Sequence, residues 1–147
     1  MANVSNAGYT AVVKRIVYAD TVSTSAPFEW MELGSGSAAG AQASISLSSA
    51  MTDTGLTKGS MTAAATDTAD GRWFASTDLT ADTAWFRKTF TCGVLSIASG
   101  VKECGLFNST GANTGAMLCY GTFPTAIPMG TGDTLQVTWS VQVKAGA

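Results

Sequence analysis

Apolar and polar residues alternate most clearly at the end of this chain. In Thr134 to Lys144 (TLQVTWSVQVK), Leu135, Val137, Trp139, Val141 and Val143 share one parity, and Gln136, Thr138, Ser140 and Gln142 share the other. A period of two places these sets on opposite faces of a strand, one buried and one wet. Weaker versions of the pattern predict strands at Thr10 to Tyr18, Arg72 to Ala75, Trp85 to Thr91, Gly93 to Ala98, Val101 to Phe107 and Ala116 to Phe123. Phe28 to Leu33 (FEWMEL) reads as a strand or one helical turn, closed by Gly34-Ser35-Gly36. Turn chemistry separates the later strands at Ala98-Ser99-Gly100, Asn108 to Gly115, Pro124 to Pro128 and Gly130 to Asp133.

The pattern fades between residues 34 and 71, where Ser, Ala, Thr and Gly dominate. Ile45, Leu47, Met51, Leu56 and Met61 are the apolar anchors there. Such a stretch predicts a low-complexity connection or an extended arm laid on a partner. The expected architecture is all-β: one antiparallel sandwich, jelly-roll-like, with an extended N-terminal region. Residues 72–147 form its core. Residues 1–71 are part of the sandwich or clamped to it. Removal of residues 1–40 is then expected to leave a folded sandwich that has lost its partner.

Composition supports the strand reading. The chain has 147 residues, 46% hydrophobic and only 12% charged, against about 25% charged in an average domain. Thr suits a pleated, half-exposed surface and Gly supplies turns, whereas exposed helices usually carry a charged face. The net charge is −2, and the eight basic residues are scattered except for Lys14-Arg15 and Arg87-Lys88. Nucleic-acid binding calls for a basic face that displaces counterions from several phosphates, so no nucleic-acid partner is expected. So few charges imply a surface covered by neighbouring subunits. No apolar run reaches the ~20 residues of a membrane helix. MANVSNAGYT has no basic start followed by an apolar stretch, which predicts synthesis in cytosol without secretion.

Candidate chemistry is sparse. The chain lacks histidine, which removes Ser–His and Cys–His nucleophile pairs. Cys92, Cys104 and Cys119 match no zinc spacing and read as free, buried thiols. Glu29, Glu32, Asp67 and Asp70 read as solvated surface. Glu103, within a strand, could be catalytic, but a structural hydrogen bond to a turn is favoured. Gly34-Ser35-Gly36-Ser37-Ala38-Ala39 fits the dinucleotide pattern G-x-G-x-x-A, yet no amphipathic helix follows to face a pyrophosphate. No enzyme activity, cofactor or metal is expected. Of the four tryptophans, Trp85 and Trp139 read as core. Trp73, with Trp30, Tyr120 and Phe28, reads as interface.

One ordered set of short motifs stands out. Lys102 to Asn108 (KECGLFN), Thr114 to Cys119 (TGAMLC), Phe123 and Gly132-Asp133-Thr134-Leu135 with VTWSVQV follow in that order. Trp30 to Gly36 (WMELGSG) precedes them. The set resembles small virion proteins of tailed bacteriophages, which carry "E-x-G-L-F-N", "G-x-M-L" and a final "G-D-x-L-x-V-x-W". Tyr120 stands near a point where such proteins often carry arginine. The resemblance implies a capsid decoration, or cement, protein located in the virion. Its partners would be the major capsid protein and copies of itself, as a homotrimer. A tail-fibre or tail-tip component is the alternative, and a carbohydrate-binding module comes from a different class. On the residues alone, Gly105 permits a close backbone approach, Leu106 and Phe107 fill the sandwich, and Gly132-Asp133 launches the last strand.

Overall fold

The computed structural model of the chain describes residues 27–36, 47–63, 70–74, 83–111 and 117–142. Seven strands follow in order: β1 (Trp30–Gly34), β2 (Gly59–Ser60), β3 (Gly71–Phe74), β4 (Thr83–Thr91), β5 (Val101–Phe107), β6 (Met117–Ile127) and β7 (Thr134–Gln142). No helix occurs among the described residues. The strands form two antiparallel sheets, ordered β2-β1-β5-β6 and β3-β4-β7. The eight strands of a jelly roll are not all among the described residues. The strand expected at Thr10 to Tyr18 also lies outside them.

Period-two geometry sets the core between the sheets. Met31, Leu33, Cys104 and Leu106 from the four-stranded sheet meet Ala84, Phe86, Phe90 and Val137 from the other. Strand β7 alternates as its sequence requires: Val137 is buried, Leu135, Trp139 and Val141 are half-buried, and the residues between are exposed. Along its whole length β7 pairs with β4, from Thr83↔Gln142 to Thr91↔Thr134. Two consecutive aromatics in β4 cannot both face inward. Phe86 does so with Phe90, which sends Trp85, expected in the core, to the outer face.

Of the region expected as an N-terminal extension, Trp30–Gly34 and Gly59–Ser60 are strands of the sheet itself. Strand β1 lies between β2 and β5 and pairs with β5 over all five of its residues. Leu47, Met51, Leu56 and Met61 are all buried, so 47–63 is packed rather than a loose connection. Removing residues 1–40 would delete an interior strand, and a surviving sandwich does not follow.

Two further expectations change. Gly93 to Ala98 is a pinned loop, not a strand: Val94 and Ile97 anchor it against the core, and Ile97 N–H donates to the Met129 carbonyl at 3.0 Å. Pro124 to Pro128 was expected to be a turn, but β6 runs on through Pro124 to Ile127. Strand β6 stands at a sheet edge, where a missing N–H breaks no ladder. Its register slips there, between Glu103↔Thr122 and Val101↔Ile127. The turn before β7 forms as expected, with Gly132 at φ +85°, a conformation that glycine adopts without strain.

Candidate functional site

The residues with chemical potential gather on the outer face of the four-stranded sheet. Register places Glu32 beside Gly105, with Gly105 in turn beside Tyr120. Gly34 lies beside Glu103, and Glu103 beside Thr122. Glu103 is fully buried. Its side chain crosses β1 above Gly34, where an added Cβ would lie 2.5 Å from Oε1 and 2.6 Å from Cγ. On the far side, Ser48 Oγ donates to both carboxylate oxygens at 3.1 and 3.3 Å, and Ser49 N–H donates to Oε1 at 3.1 Å. Gly36 is needed for the same reason: a Cβ there would meet Ser48 Oγ at 1.8 Å and Glu103 Oε1 at 2.6 Å. The G-x-G spacing therefore clears a path for one carboxylate, and the hydrogen bond expected from Glu103 to a turn is present.

A second tie runs beside it. Lys58 Nζ lies 3.6 Å from Glu32 Oε2, with both side chains buried. Lys58 also donates to the Gly111 carbonyl at 2.9 Å and sits 4.1 Å above the Phe107 ring. Phe107 thus lies on the outer face rather than inside the sandwich, because it shares parity with Glu103 and Gly105. A Cβ on Gly105 would meet the Phe107 ring at 2.8 Å and Leu47 at 3.1 Å. Burial raises the Glu32 carboxyl above its ordinary value; Lys58 opposes this and Glu103 adds to it. Partial burial, then the hydrogen bond and charge of Glu103, push the Tyr120 phenol upward. The acids expected in solvent are ion-paired: Glu29 with Arg72 at 2.9 Å and Asp70 with Lys88 at 3.4 Å. Asp67 lies outside the described residues.

The four expected interface residues do not form one surface. Trp30 and Tyr120 are half-buried on the face just described, and Phe28 packs against the core. Trp73 pairs with Trp85 on the outer face of the other sheet, but it is only 7% exposed and lies 5.1 Å from the Arg87 guanidinium. It is an interior residue of the chain, not an open anchor.

The open side of the sandwich lies between β6 and β7. An apolar cavity of about 190 Å³ opens there, lined by Cys104, Gly121, Phe123, Val137 and Trp139 with Thr122 and Thr138. Gly121 makes room for the Trp139 ring, which a Cβ would meet at 2.8 Å. The Trp139 indole donates to Cys104 Sγ at 3.5 Å. Burial pushes the thiols of Cys104 and Cys119 up to about 12, so both stay protonated at neutral pH and are weak nucleophiles. All three cysteines are free. Among the described residues, no cluster of acids and cysteines could hold a metal ion.

Sequence reasoning missed Ser48 and Lys58, which sit in the stretch without periodicity, and Leu95, hidden in an apparent strand. Compared with known protein families, curated proteins and solved structures, the chain matches none.

Proposed function

We propose that this chain is a virion structural protein, a capsid decoration protein that binds and stabilises the major capsid shell. One observation carries the reading. Strands β6 and β7, of eleven and nine residues, contain no charged side chain. Both stand at sheet edges among the described strands. A protein that stays single blunts its edges with lysine, proline or short strands; here Pro124 is the one such device. Long uncharged edges suit a chain that works covered by others. The resemblance to tailed-phage virion proteins supports the same reading, since its motifs build β5 and β7. The ionisable residues at the candidate site fit this role as well. Glu103 and Lys58 fasten the 47–58 segment to the sheet, which stiffens the module.

A clamp that adds contacts between shell subunits stabilises the shell by mass action. The test is to add the purified chain to capsids emptied of DNA and lacking it. Saturable binding and a raised shell disruption temperature are expected. Labelling confined to tails in electron micrographs would replace this reading with the tail-component alternative. The glycan-binding alternative is less favoured, because Trp73, the ring it relied on, is buried.

A further inference from the structure

We propose that copies of this chain join head to tail, Leu95 of one copy seating in the β6/β7 cavity of the next. The inference rests on the assembly reading above and names the contact through which copies meet. Among the described residues, Leu95 is the large apolar side chain left in solvent, at 91% exposure. Its loop is held on both sides. Gly93 N–H donates to the Thr54 carbonyl at 2.9 Å, Cys92 Sγ to the Val94 carbonyl at 3.4 Å, and Ile97 N–H to the Met129 carbonyl at 3.0 Å. Gly100, at φ +64°, closes the loop. Neighbouring apolar residues Val94 and Ile97 turn inward while Leu95 turns out. A knob fixed in this way loses little conformational entropy when it is buried.

The receptor is complementary in size and chemistry. An apolar cavity of about 150 Å³ accepts benzene, so one of about 190 Å³ admits an isobutyl side chain. Its walls are Phe123, Val137 and Trp139, and the one indole donor there is already used by Cys104. Neither the loop 93–100 nor strands β6 and β7 carry a charge, so like charges do not oppose approach at the contact. Knob and cavity lie at different places on the chain, so the contact can repeat head to tail from copy to copy. Repeated in that way it closes as a ring or runs on as a filament, whereas a reciprocal pair about a two-fold axis closes as a dimer.

The test uses the full chain in solution. Sedimentation velocity of the wild type is expected to show concentration-dependent association into a closed ring. Leu95→Asp, at a site whose exposure spares the fold, should weaken that association by about ten- to a hundredfold, the worth of one buried leucine. Cross-linking then identifies the contact. Under oxidation, and with Cys104 and the neighbouring Cys119 both replaced by alanine so that no native thiol lies at the cavity, a Leu95→Cys variant mixed with a Thr122→Cys variant should form a mixed disulfide, whereas neither should cross-link to itself. A monomeric wild type, unchanged association of Leu95→Asp, or self-cross-linking of Leu95→Cys would each overturn the proposal. Shell binding by a monomeric chain would leave the decoration reading standing while this contact fell.

Discussion

Gly34→Ala tests whether the Glu103 crossing holds this fold together. The new methyl group would lie 2.5 Å from Glu103 Oε1, 2.6 Å from its Cγ and 2.8 Å from the Ser49 carbonyl oxygen. Two responses are open. Either β1 shifts within a sheet that pairs it on both sides, or Glu103 swings away and releases Ser48 and Ser49. Overpacking of this kind costs about 1–3 kcal/mol, partly offset by about 0.4–1 kcal/mol because alanine restricts the unfolded chain. Glu103→Ala alone removes the hydrogen bond that the Ser48 hydroxyl shares between both carboxylate oxygens and leaves the Ser49 N–H without that partner, a loss of about 2–4 kcal/mol. The double variant is diagnostic. Once Glu103 is gone, Gly34→Ala still meets the Ser49 carbonyl oxygen at 2.8 Å, so its added cost should fall by about 1 kcal/mol without vanishing. Urea unfolding of the four proteins measures the coupling. For a domain near this size each kcal/mol also moves the melting temperature by about 2–4 °C. Additive losses, within about 0.5 kcal/mol, would refute the crossing as the reason for glycine at position 34.

Other consequences are open to simpler measurements. Burial holds the Glu32 carboxyl above 4.5 in the folded protein, so folding takes up a proton. That contribution is complete below 4.5 and is lost as pH rises through the higher folded value. Glu32→Gln should flatten this part of the stability profile, measured as the urea midpoint against pH; an unchanged slope would count against a buried Glu32. Cys104 and Cys119, with thiols raised to about 12, should alkylate slowly at neutral pH until denaturant is added, whereas rapid labelling of the folded chain would contradict their burial. Gly121→Leu should displace the Trp139 ring, costing about 1–3 kcal/mol and shifting tryptophan emission. A chain lacking residues 1–40 should show no cooperative unfolding by circular dichroism, because β1 is gone.

The strands were legible where the pattern is local. In β7 the alternation of a wet and a buried face sets bounds and class, β5 reads as a short strand closed by turn residues although both its faces are buried, and Gly132-Asp133 marks the turn before β7. Facing was harder to read. Trp85 and Phe86 are adjacent and both aromatic, so period two allows only one of them into the core, and the sequence does not say which. Phe107 and Leu106 pose the same choice. GVLSIA has strand composition, yet its apolar residues serve as loop anchors. Pro124 looks like a terminator, and only its place on an edge strand makes it tolerable. The candidate site was legible in part: Glu103 stands out as a carboxylate within a strand. Its partners do not, because Ser48 and Lys58 lie far from it in sequence, in a segment whose register is fixed only after β1 is placed. Gly34 and Gly36 look like a phosphate loop until the side chain that crosses them is seen.

A capsid decoration protein, as proposed for this chain, is a stoichiometric part of a viral shell. Counting its copies per purified virion by quantitative mass spectrometry, relative to the major capsid protein, tests that claim most directly. Many copies are expected, in a fixed ratio to shell subunits and lost together when the shell is stripped. A handful of copies that travel with isolated tails, or none in the particle, would contradict it.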